Sequence, residues 1–194
     1  MDAMQKDLLK KALDLFESHE YAYAYTLLAD LFKQNPHNNQ IQHYLHTCGI
    51  KKYQTNPDSV IKYWIKTIIF TPYDIYALFT FLIEDNLKAR LTYEKLIRLF
   101  PVNLRFFKKL VLIYERSKTA KTIQFLLEEI RLIDPLDQWA LKRLGEVYLK
   151  QGQLSEARKI YDQLRIVYSE DPEVIRGLKN LVALETLKKG PFHG

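Results

Sequence analysis

The chain has 194 residues, 47% of them apolar and 27% charged, with six glycines and seven prolines. That is enough for one core or one short array, and it excludes collagen, long disordered tracts and turn-rich all-β folds. The formal charge of +6, from 29 basic and 23 acidic side chains, is too small to argue for a polyanion partner, and the single cysteine, Cys48, excludes an internal disulfide or a four-cysteine zinc site.

From the start, MDAMQKDLLKKALDLF carries charges throughout, so no signal peptide is expected. The apolar stretches further on, such as Tyr76–Ile83, run about eight residues before a charge, against the roughly 20 of a spanning helix. No transmembrane segment is therefore expected. The protein reads as soluble and cytoplasmic, with room for peripheral attachment to a membrane-associated complex.

Prolines punctuate the chain. Pro36, Pro72, Pro101, Pro135 and Pro172 are spaced 36, 29, 34 and 37 residues apart, and each follows a helical run: LLADLFKQNP, YWIKTIIFTP, YEKLIRLFP, LLEEIRLIDP, QLRIVYSEDP. Proline disfavours helical geometry in the residue before it, so each is read as a helix boundary. A period near 34 is that of a helical hairpin. A second break lies inside each period, at His19-Glu20, Gln54–Pro57, Glu84–Asn86, Arg116–Thr119 and Gln151–Gln153. Asp58 and Ser155 are candidate N-cap or first-turn residues and Gly152 a C-cap.

Apolar residues at 3,4 spacing mark the faces. Leu141, Leu144, Val147 and Tyr148 share one, and Leu154, Ala157, Ile160, Tyr161 and Leu164 another. Small residues recur at Ala12, Ala24, Cys48, Ala77, Ala89, Gly145 and Ala157, where helices of a hairpin would cross closely.

The segment WALKRLGEVYLKQGQLSEARKIYDQL resembles a tetratricopeptide repeat through Leu144-Gly145, Tyr148, Gly152, Ala157, Tyr161 and Leu164. The other units resemble it less closely: the first through Ala12, Tyr21, Ala24 and Pro36, the second through Tyr44, Cys48, Trp64 and Pro72, the third through Ala77, Ala89, Tyr93 and Pro101, the fourth through Tyr114, Leu127 and Pro135. The resemblance implies an all-α fold, an α-solenoid of antiparallel hairpins in a right-handed superhelix. A single array over 1–189 is expected, with units near 5–38, 41–72, 73–103, 104–137 and 138–171. A closing helix at 173–188 would face the array with Val174, Ile175, Leu178, Leu181 and Val182, and 190–194 would be a flexible tail.

In this family the first helices line a concave groove. By resemblance the groove positions are Leu9, Leu13 and Phe16; Leu45, Gly49 and Lys52; Asp74, Leu78 and Phe81; Arg105, Lys108, Leu112 and Glu115; and Trp139, Lys142, Glu146 and Leu149. The amino-terminal end is apolar and the other end basic. The implied partner is another protein, a helix or extended segment with apolar and acidic residues. The clamp by which some members hold a terminal carboxylate is not expected, because its asparagine positions carry Leu13, Gly49, Leu78, Leu112 and Glu146.

No chemistry of catalysis stands out. Phosphate loops, GxSxG, HExxH and CxxC motifs are missing. His37, His43, His46 and Cys48 are the one metal-like cluster, but Cys48 falls on a different helix face from the histidine pair. No metal, cofactor or enzymatic activity is expected. Paired basic residues such as Lys108-Lys109 and Lys142-Arg143, with thirteen tyrosines, give a weaker case for nucleic acid, since the tyrosines occupy packing positions. The function expected is a non-catalytic interaction module acting as adaptor, scaffold, assembly factor or small chaperone. The alternatives are a structural subunit held through outer faces (Phe32, Tyr63, Ile68, Phe100, Phe125, Tyr168) and a homodimer joined at the closing helix or the amino-terminal hairpin.

Overall fold

A computed structural model describes residues 3–36, 38–116 and 119–189. The expected tail at 190–194, with His37 and Lys118, lies outside them. Among the described residues there are ten helices and no strand: α1 (Ala3–Glu17), α2 (Tyr21–Gln34), α3 (Asn39–Thr55), α4 (Val60–Leu82), α5 (Asn86–Leu99), α6 (Leu104–Arg116), α7 (Ala120–Ile133), α8 (Gln138–Lys150), α9 (Leu154–Val167) and α10 (Pro172–Lys189). Helices pair as hairpins, α1 with α2, α2 with α3, α4 with α5, α5 with α6, α8 with α9 and α9 with α10, the contact pattern of an α-solenoid. The chain divides into two compact units, Met1–Thr122 and Ile123–Gly194.

In the first unit, α2 packs against both α1 and α3. Their meeting points are the small residues: Ala12, Ala24 and Cys48 are all fully buried, with Leu28, Leu31, Ile41 and Leu45 around them. Each large side chain sealed there contributes roughly 1.5–3 kcal/mol from removal of apolar surface from water. Ala77 on α4 and Ala89 on α5 are fully buried as well.

The turns after α1, α4 and α8 share one construction. His19 (φ 64°), Glu84 (φ 62°) and Gly152 (φ 70°) are all left-handed. In each, the next N–H reaches back into the last turn of the preceding helix: Glu20 to the Leu15 carbonyl, Asp85 to Thr80 and Gln153 to Tyr148, all at 2.9 Å. This satisfies carbonyls that the helix end leaves open. Helix starts use side-chain caps. Asn38 accepts from the Gln40 and Ile41 N–H groups, Asp85 from Lys88 and Asp137 from Ala140.

A polar bridge repeats with the same period. Tyr114 donates to Glu94 (3.3 Å), and Tyr148, 34 residues on, donates to Glu128 (2.8 Å). Four residues before each carboxylate stands a further partner, Arg90 (3.7 Å) or Gln124 (2.9 Å). Gln42 adds a bond to Glu94, whose side chain is buried. A buried carboxylate is tolerable only with such partners.

The structure departs from expectation at Pro72. Pro36, Pro101 and Pro135 stand in turns, but Pro72 lies inside α4, so no boundary separates the second unit from the third. One 23-residue helix stands where two were expected. Ser59, not Asp58, caps it, accepting from the Lys62 N–H; Asp58 binds Lys62 (2.7 Å) and Lys66 (2.5 Å) instead. Proline removes the N–H that would serve the Ile68 carbonyl. The hydroxyls of Thr67 and Thr71 bond back to Tyr63 and Thr67, a habit that bends helices. Beyond Pro72, α4 packs along α5, and α3 reaches α5 directly. Much of α4 is consequently exposed.

This also corrects the expectation of no spanning-length segment. α4 is long and apolar enough to cross a membrane by length and composition, with 17% of its most apolar stretch buried. Charges do interrupt the sequence, but Lys62, Lys66 and Asp74 all gather on the side that carries the buried Ala77 and Phe81, leaving the rest of the cylinder apolar.

In the second unit α8 pairs with α9 and α9 with α10, and α10 also touches α8. Gly145 and Gly177 both face the Tyr161 ring: a β-carbon on Gly145 would lie 2.9 Å from it, and one on Gly177 closer still. The ring fills the gap that the two glycines leave between α8 and α10. Val174 and Leu181 are buried as expected, whereas Ile175 and Val182 are exposed. α10 is built like a further first helix, its glycine 32 residues after Gly145.

Candidate partner-binding groove

The groove positions divide between the two units. In the first, Leu9, Leu13 and Phe16 are half-buried, and Leu9 and Phe16 lean on the α1–α3 core. Leu45 corrects the expectation: at 1% exposure it is a core residue, because α3 turns this face onto α2. Phe81 is likewise buried, with Lys109 4.7 Å and Arg116 4.4 Å from its ring centroid. Both cations gain from the ring's negative face. Leu78 and Lys108 are half-buried. Arg105 is exposed and binds Asp74 at 2.7 Å.

Lys52 lies over the Tyr25 ring at 4.9 Å. Both line a cleft of about 390 Å³ with Gly49, Tyr53, Arg98 and Pro101. Nearby, Cys48 donates to the Tyr21 carbonyl at 3.2 Å, and burial pushes its thiol up to about 12 despite Lys52. It is a neutral packing residue. His46 is buried edge-on to Phe107 (5.8 Å), and among the described residues no three metal-ligating side chains converge.

In the second unit Trp139 is half-buried with the Arg143 guanidinium 4.0 Å from its ring centroid. Lys142 is held by Asp171 (2.5 Å) and Glu173 (2.8 Å). Burial opposes its charge, but these hydrogen bonds prevail and raise its pKa; the Lys142 bond in turn lowers that of Asp171. The basic end inferred from sequence is thus largely neutralised at Arg105 and Lys142 by carboxylates of the same chain.

A cleft of about 670 Å³ opens between α8 and α10. Tyr161 forms its floor, Leu149 and Leu184 its apolar walls, and Glu146, Lys150, Arg176 and Asn180 its polar rim. Glu146 and Leu149 were expected on this surface. Arg176, Asn180 and Leu184 were missed, because 173–188 reads as a closing helix whose only role is to face the array with Val174, Ile175, Leu178, Leu181 and Val182. The available signal was Gly177, which repeats the slot of Gly145.

Residues 117–181, which take in α8, α9 and the first half of α10, match the tetratricopeptide repeat family model. The chain is similar in fold to a crystal structure of a tetratricopeptide repeat protein from Parabacteroides merdae, at TM-score 0.51 and 13% identity over 93% of this chain and 60% of that one. It is also similar to the TPR domain of P58(IPK), at TM-score 0.50 and 15% identity over 98% of this chain and 67% of that one. No curated protein matches it in sequence. The chain spans 60% of the Parabacteroides chain's length. Residues 117–181 thus match the tetratricopeptide repeat family, and the hairpin fold of the chain is similar to that of solved tetratricopeptide repeat structures.

Proposed function

We propose that the protein is a non-catalytic interaction module, an adaptor, assembly factor or small chaperone, that holds a segment of another protein between α8 and α10. The observation that carries this reading is the cleft itself. Two first helices stand apart over a tyrosine floor and expose Leu149 and Leu184 beside Lys150 and Arg176. An apolar anchor on the leucines, with an acidic neighbour reaching Arg176, matches that lining. Such buried anchors dominate interface energies, while rim charges set orientation and on-rate.

The test is capture from native extract after nuclease treatment, comparing the wild type with Leu149→Asp and Arg176→Glu. The expected result is one stoichiometric protein partner, lost with Leu149→Asp and weakened by Arg176→Glu, with the thermal transition unchanged. Equal capture by all three forms would remove this cleft as the site. The alternative of a subunit held through outer faces draws support at only part of its surface: Phe32 and Phe100 are buried, whereas Tyr63 and Ile68 stand exposed on α4.

A further inference from the structure

The bare face of α4 is the largest unexplained feature of the first unit. Ile61, Trp64, Ile68, Ile75, Phe79 and Leu82 are each 57–74% exposed. At 3.6 residues per turn they fall within a sector of roughly 60° on the helix surface. Lys62, Lys66 and Asp74 all lie on the far side, where they hold Asp58 and Arg105. The apolar face offers on the order of 1,000 Å², against the few hundred that monomers ordinarily show and the roughly 800 Å² per partner that a stable interface buries.

Its pattern names the occupant. Ile61, Ile68, Ile75 and Leu82 recur every seven residues, the spacing of a helix that packs lengthwise on another helix. The face also reads nearly the same in both directions about the Thr71-Pro72 bond. Ile68 and Ile75 are equidistant from that point, as are Trp64 and Phe79, and Ile61 and Leu82. An isologous contact requires this property, because residue i of one copy meets residue j of the other while j meets i. An antiparallel pair centred there sets Ile68 on Ile75, Trp64 on Phe79 and Ile61 on Leu82 twice over. The low profiles of Thr71 and Pro72 stand at the two-fold axis, where the helices come closest. Helices that lie on bilayers instead carry lysines and arginines along the polar face with the heads free for lipid; here Lys62 and Lys66 are bound to Asp58.

We infer that the protein forms a two-fold homodimer through α4 packed antiparallel on α4 of a second copy. This seam differs from the closing helix and the amino-terminal hairpin considered from sequence. It lies in the other unit from the α8–α10 cleft, so the two readings stand or fall separately.

The experiment is sedimentation velocity on the full chain over an about hundredfold concentration range, with Ile68→Glu, Ile75→Lys and an equimolar mixture of the two. Both positions are exposed, so circular dichroism should show unchanged folding. The wild type is expected to be dimeric. Each single variant should raise the dissociation constant at least about a hundredfold, because a charge is forced onto an apolar partner. The mixture should dimerise again, since the antiparallel register sets position 68 of one copy on position 75 of the other. A monomeric wild type, a dimer indifferent to both substitutions, or variants that fail to recombine would each overturn the inference. So would a monomeric wild type that cosediments with phosphatidylcholine–phosphatidylserine vesicles, which would assign the face to a bilayer.

Discussion

The ring of Tyr161 occupies the volume that a β-carbon on Gly177 would need. Replacing Gly177 with alanine must displace a ring that is itself 2% exposed. The expected cost is about 1–3 kcal/mol from overpacking, and Gly145→Leu should cost at least as much from the other side. In a Tyr161→Ala background the Gly177→Ala penalty should largely vanish, because contacting residues couple. Urea denaturation of the four forms checks this; full additivity would place the ring elsewhere.

The left-handed turns make a paired prediction. Glu84 sits at φ 62° and Gly152 at φ 70°. A side chain there costs about 1 kcal/mol relative to glycine. Glu84→Gly should therefore raise stability and Gly152→Ala lower it by similar amounts. Thermal melts give both signs in one experiment.

Pro72→Ala tests the continuity of α4. Within a helix, alanine restores the donor for the Ile68 carbonyl and removes the ring clash, offset by a freer unfolded chain. A gain of about 1–2 kcal/mol is expected. Were Pro72 at a hairpin boundary, like Pro101, the same change would be neutral or destabilising.

Acid should loosen the link between α8 and the start of α10. Asp171 is held below its ordinary value of 3.8, first by the Lys142 hydrogen bond and then by the Glu173 and Val174 N–H groups. A carboxylate whose pKa falls on folding stabilises fully above 3.8 and loses that contribution as pH falls through its lower folded value. Asp171→Asn should be less stable than the wild type at neutral pH, and the two should converge below pH 3.8. Denaturation curves at stepped pH would show the gap closing.

Much of this was legible in the residues themselves. Ala12, Ala24, Cys48, Ala77, Ala89, Gly145 and Ala157 are all buried at helix crossings, because a small residue recurring at one helix period has a steric cause. The hairpin breaks at His19-Glu20, Glu84–Asn86 and Gln151–Gln153 also agree with the structure. Pro72 misled because its effect is a bias and not a prohibition: strong flanking apolar periodicity carried the helix through. Leu45 and Phe81 misled because a nominal groove position says nothing of how closely the next helix approaches. Arg105 and Lys142 counted as free charge only while Asp74 and Asp171, about 30 residues away in sequence, went unplaced. Ion pairs over that distance follow from packing and have no local signature.

The unbroken α4 also bears on how the first unit can come apart. Repeat arrays ordinarily fray one hairpin at a time, since each boundary is a place where order can stop. Here the boundary expected at Pro72 does not exist: α4 runs unbroken through it and packs along α5. Amide protons across Val60–Leu82 should exchange as one cooperative block. A protease cut or a truncation within it would orphan α5, so the smallest amino-terminal fragment able to stand alone past α3 must extend through Leu99.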